Sequence, residues 1–276
     1  MENSVTIRDN RKGKEYVLPI EEGSRGETSI SGSAIARIGM DHSGRGLRIH
    51  DPGFRNTASC RSTITYVDGE NGILCYRGRP IGELAESRTF LEVAFLILEG
   101  RLPDRAELRA WEEELTRFRV LQADVLNLIR SFRRGAHTTG MLVGTVGSLS
   151  TFYDDVRDFD GENRSKHIAR IIGNVSAASA YIYRHSKGLP TIHPDPDRGF
   201  TEDVARTLFG EGETHPAVVR ALDVLFILHA DHEQNCSANV MRSIGSAGSD
   251  PYTALSGAIG ALYGPAHGGA NEAVLR

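Results

Sequence analysis

The apolar and polar positions of this chain fall into two regimes. Up to about residue 80, apolar residues alternate with polar ones or stand singly among Gly, Ser and Arg. From Pro80 onward they recur every three to four residues, the spacing of helices that bury one face. In the first regime, residues 5–8 and 15–18 flank a Gly- and Lys-containing turn at 9–14 and predict a short hairpin. Residues 21–59 carry little periodicity and read as an extended arm with strand fragments at most. The β-branched alternation from Cys60 to Val67, the turn at 68–72 and the return from Ile73 to Arg77 predict a second hairpin.

The second regime predicts a succession of helices with identifiable starts and stops. Thr89 and Glu92 form a capping box, in which two side chains satisfy free N–H groups reciprocally. The helix they open carries Leu91, Phe95 and Leu98 on one face and stops at Gly100. Asp104 with Glu107 opens the next, to about Arg117, and residues 121–133 are amphipathic through Val125, Leu128, Ile129 and Phe132. Residues 138–153 are Gly-rich, and the four-residue spacing of Gly140 and Gly144 predicts a closely packed, buried helix. A long helix follows over 165–187, stopped by Gly188, and then a Pro-rich loop at 189–200. Thr201 is expected to cap a helix to Phe209. His215-Pro216 starts an apolar helix, with proline in its first turn. Asp250 caps another, whose face of Ala254, Gly257, Ala258 and Ala261 packs backbone to backbone. The expected architecture is mainly α: an N-terminal β/extended segment over 1–59 and a multi-helical domain over 60–276.

Composition narrows the class. With 276 residues, 39% hydrophobic and 25% charged, the chain can bury a sizeable core without disulfides. A formal charge of -4 argues against a nucleic-acid partner held by bulk positive charge. Cys60, Cys75 and Cys236 are odd in number and far apart, so neither a disulfide framework nor a Cys-rich zinc site is read from them, and a reducing cytoplasm fits. No apolar run approaches the roughly 20 residues that span a bilayer, and residues 1–4 lack the basic and apolar regions of a signal peptide. The expectation is a cytoplasmic protein with neither membrane nor nucleic-acid partner.

Candidate chemistry concentrates between Leu228 and Asn271. His229 and His232 are three apart. On a continuous helix they share a face and reach one ligand, with Asp231 or Glu233 accepting a ring N–H. A metal site is one reading, with Asp231 or His267 as third ligand; a structural role for the histidines is another. At the far end His267 stands beside Gly268 and Gly269. Glycines let a large ligand approach the backbone and, at a helix start, leave N–H groups free for an anion or a carbonyl oxygen. A histidine there can donate to a substrate oxygen while neutral. The alternative is a Gly-rich turn with an incidental histidine. No dinucleotide fingerprint or P-loop offers a rival nucleotide site.

The stretches Leu228-His229-Ala230-Asp231-His232-Glu233-Gln234-Asn235 and Gly264-Pro265-Ala266-His267-Gly268-Gly269-Ala270-Asn271 resemble two signature motifs of citrate synthase. The runs Asp51 to Phe54, Thr57 to Cys60 and Tyr76 to Ile81, with the N-terminal hairpin, resemble its bacterial, often hexameric, branch. The resemblance implies a mainly helical fold and a homodimer or hexamer. It implies an acyltransferase that condenses acetyl-CoA with oxaloacetate to citrate and CoA in the tricarboxylic acid cycle. Acetyl-CoA is then a substrate, with no separate cofactor and no metal. His267 matches the catalytic histidine that hydrogen-bonds the thioester carbonyl and stabilises the enol. His232 matches the histidine that binds oxaloacetate, His229 and Asn235 shape the same pocket, and Gly268 and Gly269 admit the thioester. In the family, the aspartate base, a second histidine and the carboxylate-binding arginines follow the Gly-rich motif by many residues. The chain is therefore expected to be C-terminally truncated, to lack the family's small domain and C-terminal segment, and to be inactive by itself. Competing readings are 2-methylcitrate synthase, a helical metal-dependent hydrolase using His229, Asp231 and His232, and a truncated product that only associates with other chains.

Overall fold

Local hydrogen bonding sets most element boundaries in the computed structural model, which describes residues 3–52, 56–159, 161–210, 212 and 214–274. Phe54, the end of the run from Asp51, and the final residues 275 and 276 lie outside the described residues. The chain divides into two units, residues 1–61 and 62–276.

In the first unit the predicted hairpin is β1 (Ser4–Asp9) against β2 (Lys14–Glu22), antiparallel from Ser4 opposite Pro19 to Asp9 opposite Lys14. The arm expected to be merely extended adds β3 (Thr28–Ile30), which pairs with β2 through Ile20 and Ile30, and a single helical turn, α1 (Gly32–Ile35). Leu18 and Ile38 are its buried apolar centre.

The second unit opens with a three-stranded antiparallel sheet of β4 (Thr65–Asp68), β5 (Ile73–Tyr76) and β6 (Arg79–Pro80), in which Thr65 stands opposite Tyr76. Helices α2 (Ile81–Ser87), α3 (Phe90–Glu99), α4 (Arg105–Arg117), α5 (Ala123–Ser131) and α6 (Thr138–Ser148) follow. After a 3₁₀ turn at Leu149–Thr151 come α7 (Glu162–Ser186), α8 (Phe200–Phe209), α9 (Pro216–Leu228), α10 (Cys236–Gly245), α11 (Pro251–Leu262) and α12 (Gly268–Val274). The predicted capping box of Thr89 with Glu92 is present, and Asp104 with Glu107, expected to open the next helix, forms a second one. Asp250 caps α11 through the N–H groups of Tyr252 and Thr253. The chain is mainly helical, as its pattern requires.

Several expectations are corrected. Thr201 is not a cap: Gly199 precedes α8, and the Thr201 hydroxyl donates to Asp223 Oδ1 at 2.7 Å. Burial of that carboxylate is offset by a second donor, the Phe90 N–H at 3.1 Å, so one aspartate ties α8, α9 and the start of α3. α3 buries Leu91, Val93, Ala94 and Leu96, a wider surface than the predicted Leu91, Phe95 and Leu98 stripe, because it packs against neighbours on two sides. On α6 the open glycine is Gly140, whose surroundings leave room for a side chain. Gly144 is closely packed as expected, since a Cβ there would lie 3.1 Å from Phe132 Cζ, and the close approach to α11 is at Gly147, where a Cβ would lie 3.1 Å from the Ser256 hydroxyl. The Ala- and Gly-rich faces of α6 and α11 thus meet each other within the chain.

Three apolar clusters build this unit. One joins α5, α6, α7 and α11 through Val125, Met141, Tyr181 and Tyr252; the others are centred on Tyr76 with Ile227 and on Leu115 with Phe200. α7 packs closely because Gly173 removes a side chain that would meet Leu115 O at 2.7 Å. Arg119 and Asp203 form an ion pair with both side chains buried. Among the described residues no helix is long and apolar enough to cross a membrane.

Candidate active site

α9 reaches the site from a capped start, where the His215 ring accepts from the Ala217 N–H and Pro216 fills the first position. It stops at Leu228. His229 is its C-cap, and residues 229–235 leave the helix, with Glu233 in the left-handed region at φ +61°. The reasoning that set His229 and His232 on one helical face is therefore corrected: they are brought together by a helix end, with ring centroids 5.9 Å apart. α10 begins immediately afterwards, capped by the Asn235 side chain, which accepts from the Ala238 N–H at 2.9 Å.

Both rings are tied back to the last turn of α9. His229 Nδ1 lies 2.8 Å from Leu225 O, and His232 Nε2 lies 3.1 Å from Leu228 O. Carbonyl oxygens only accept, so these nitrogens carry the ring protons. In a neutral ring the remaining nitrogens, Nε2 of His229 and Nδ1 of His232, are acceptors. Neither Asp231 nor Glu233 orients an imidazole, contrary to the sequence expectation. The Asp231 carboxylate accepts from the Thr65 hydroxyl and from the Glu233 N–H at 3.0 Å. The carboxylate expected to complete a metal set is thus engaged elsewhere. Among the described residues no three His, Cys, Asp or Glu side chains converge as metal ligands.

His267 ends the turn between α11 and α12. The turn is closed by backbone bonds: the N–H groups of His267 and Gly269 both reach Gly264 O, at 3.0 and 3.1 Å. Gly268 is required by this packing, because a Cβ there would sit 2.5 Å from Leu262 O. His267 Nε2 lies 2.8 Å from the Ser237 hydroxyl of α10, which itself donates to Ala258 O at 2.9 Å. Ser237 was not singled out from the sequence, since thirty residues separate it from His267 and no spacing rule links them.

His137 was also missed. It caps α6 by accepting the Thr139 N–H on Nδ1, so its Nε2 carries the proton, directed at Glu272 Oε2 3.0 Å away. Its ring lies against that of Tyr263, tilted by 35° with centroids 4.5 Å apart. A cleft of about 1020 Å³ gathers His229, His232, Asn235, His267, Gly268 and Gly269, together with His137 and Ser237. The two motifs are thereby assembled into one site. It offers three imidazoles with free nitrogens beside glycine backbone, an arrangement that binds carbonyl and carboxylate oxygens when those nitrogens carry protons.

A family model described as "Citrate synthase, C-terminal domain" matches residues 53–276. The peroxisomal citrate synthase of Dictyostelium discoideum is 44% identical over 99% of this chain and 57% of that protein. Citrate synthase 1 of Mycobacterium tuberculosis is 41% identical over 99% of this chain and 63% of that protein. The chain thus spans somewhat over half the length of these relatives. Among solved structures, citrate synthase from Pyrobaculum aerophilum matches with a TM-score of 0.76 and 29% identity, over 94% of this chain and 60% of that one. The citrate synthase of Thermoplasma acidophilum, in a ternary complex with carboxymethyl coenzyme A and oxaloacetate, matches with a TM-score of 0.78 and 27% identity, over 82% and 59%.

Proposed function

The chain belongs to the citrate synthase family, and from that premise we propose that its cleft carries the thioester-facing histidine and part of the oxaloacetate pocket of a citrate (Si)-synthase. The observation that carries this reading is the assembly of His267 with His229, His232 and Asn235 in one cleft, from two motifs separated in sequence. His267 hydrogen-bonds the thioester carbonyl of acetyl-CoA. As the methyl group loses a proton, negative charge grows on that oxygen, and a donor placed in advance lowers the barrier. The enol carbon then attacks the oxaloacetate ketone, and water releases citrate and CoA. His232 holds an oxaloacetate oxygen, with His229 and Asn235 beside it. Gly268 and Gly269 keep the approach to the thioester narrow but free of side chains. Acetyl-CoA is a substrate in this chemistry, which needs no metal and no resident cofactor.

The residues assigned here include no base for the methyl proton. A general base contributes about 10²–10⁴-fold, so residues 1–276 assayed alone are expected to release no CoA. The β1–β2 hairpin and the runs near Asp51 and Tyr76 support the bacterial, hexamer-type branch, and with it association as a homodimer or hexamer. The scattered cysteines support a cytoplasmic location, although relatives in Dictyostelium and Cucurbita maxima are named peroxisomal and glyoxysomal.

The test has two parts. Oxaloacetate titrated calorimetrically into the chain should bind, and His232→Ala should weaken it by about tenfold or more, the loss of a hydrogen bond to a charged ligand. His267→Ala, assayed in an enzyme of the relatives' full length that carries this segment, should lower kcat far more than it changes oxaloacetate affinity. A kcat within about threefold of the parent removes the role given to His267.

A further inference from the structure

The loop that carries His229, His232 and Asn235 is held by the hairpin that opens the second unit. Thr65 and Tyr76 stand directly opposite each other in the β4–β5 register, so their side chains leave the same face of the sheet. Both end on Asp231. The Thr65 hydroxyl donates to Asp231 Oδ2. The Asp231 N–H donates to the Tyr76 hydroxyl at 3.3 Å, and that hydroxyl donates its own proton to Ile227 O at 3.0 Å.

The Tyr76 phenol therefore bridges the last turn of α9 and the first residues beyond it. Its side chain is 0% exposed, and burial pushes its ionisation up, which keeps the hydroxyl a donor. Asp231 in turn fixes the backbone ahead of it: the oxygen that accepts from Thr65 also accepts the Glu233 N–H. Glu233 sits at φ +61°, a conformation costly for a non-glycine residue and maintained only where surrounding bonds over-determine it. His229 and His232 flank Asp231 on either side, so the place of both rings follows from where Asp231 is held.

We propose that Thr65 and Tyr76 are positioning residues for this ligand-binding loop: the hairpin sets where α9 stops and thereby aims His229 and His232 into the cleft. The ligand named in the test rests on the oxaloacetate reading given above. His267 is held separately, by Ser237 on α10, and is outside the reach of this clamp.

The experiment compares Thr65→Val and Tyr76→Phe, each of which removes a hydroxyl and keeps the shape, with Thr65→Ser, which retains the donor. Ring ¹H–¹⁵N spectra report the protons on His229 Nδ1 and His232 Nε2 without any ligand, and calorimetry with oxaloacetate reports the pocket. Expected are altered His229 and His232 ring signals in Thr65→Val and Tyr76→Phe, unaltered His267 signals, and oxaloacetate binding weakened about tenfold. Thr65→Ser should restore both. Should Tyr76→Phe fail to fold, Thr65→Val, at a half-buried position, still decides. Parent-like ring signals in the variants overturn the proposal. If the unaltered chain binds no oxaloacetate while the variants still shift the two rings, the positioning role stands and the ligand assignment falls.

Discussion

Ser237 Oγ lies 2.8 Å from His267 Nε2 and 2.9 Å from Ala258 O. A hydroxyl has one proton. With that proton on Ala258 O, the imidazole donates through Nε2, and Nδ1 in the neutral ring is an acceptor. With Ser237 turned toward Nε2, the ring proton moves to Nδ1, which becomes a donor. The enol stabilisation proposed for His267 calls for the donor form, so on that reading Ser237 decides whether His267 shows a carbonyl oxygen a donor or an acceptor.

Ser237→Ala, tested in a full-length enzyme carrying this segment, should therefore reduce kcat by about tenfold, the worth of one well-placed hydrogen bond. The KM for acetyl-CoA should change little. A raised KM with unchanged kcat would show that the contact serves binding alone.

Where His229 and His232 are neutral beforehand, oxaloacetate held as proposed above should bind with uptake of protons. The one proton of each neutral ring at His229 and His232 is directed at a helix-end carbonyl, so either ring can donate to a carboxylate through its other nitrogen only as a cation. Calorimetric titrations in buffers of different ionisation enthalpy check this. An observed enthalpy independent of buffer would mean that both rings bind the ligand while neutral.

Asp155 should give the second unit an acid-sensitive contribution to stability. Arg170, 5% exposed, makes two hydrogen bonds to its carboxylate at 2.7 and 3.1 Å, and Lys166 adds a third at 2.7 Å. Arg170 first and Lys166 second hold this carboxyl well below its ordinary value of 3.8. A lowered folded-state value stabilises the fold at pH above the ordinary value and ceases to do so as pH falls through the folded value. Asp155→Asn should thus melt a few degrees lower at neutral pH, with the gap to the parent closing in strong acid. A gap that persists there would assign the effect to packing.

Gly268→Ala should destabilise by about 1–3 kcal/mol, the range for forcing atoms into a packed site. The added methyl would meet Leu262 O at 2.5 Å and Leu262 Cδ1 at 2.7 Å, and a backbone carbonyl yields less readily than a side-chain end. Gly140→Ala, with open space around it, is the control. Chemical denaturation of the two variants separates them, and equal midpoints would contradict the close packing.

What the sequence determined alone is what depends on residues within a few positions of each other. The boxes at Thr89–Glu92 and Asp104–Glu107, the Asp250 cap and both hairpins are decided by side chains that reach their own backbone or by short-range alternation, and the two histidine motifs are contiguous runs at 228–235 and 264–271. The sequence misplaced Thr201 because a threonine suited to capping was drawn to a buried carboxylate twenty-two residues away. It extended helical geometry across His229 and His232 because nothing nearby in the chain announces that α9 ends at Leu228. That ending depends on Tyr76, 151 positions earlier than the carbonyl it binds, and the state of His267 depends on Ser237 in the same way. Such partnerships arise when burial of apolar faces brings distant polar groups together, and each group then takes whatever donor or acceptor is left beside it. Spacing along the chain carries no trace of that choice, so only the tertiary structure could make it.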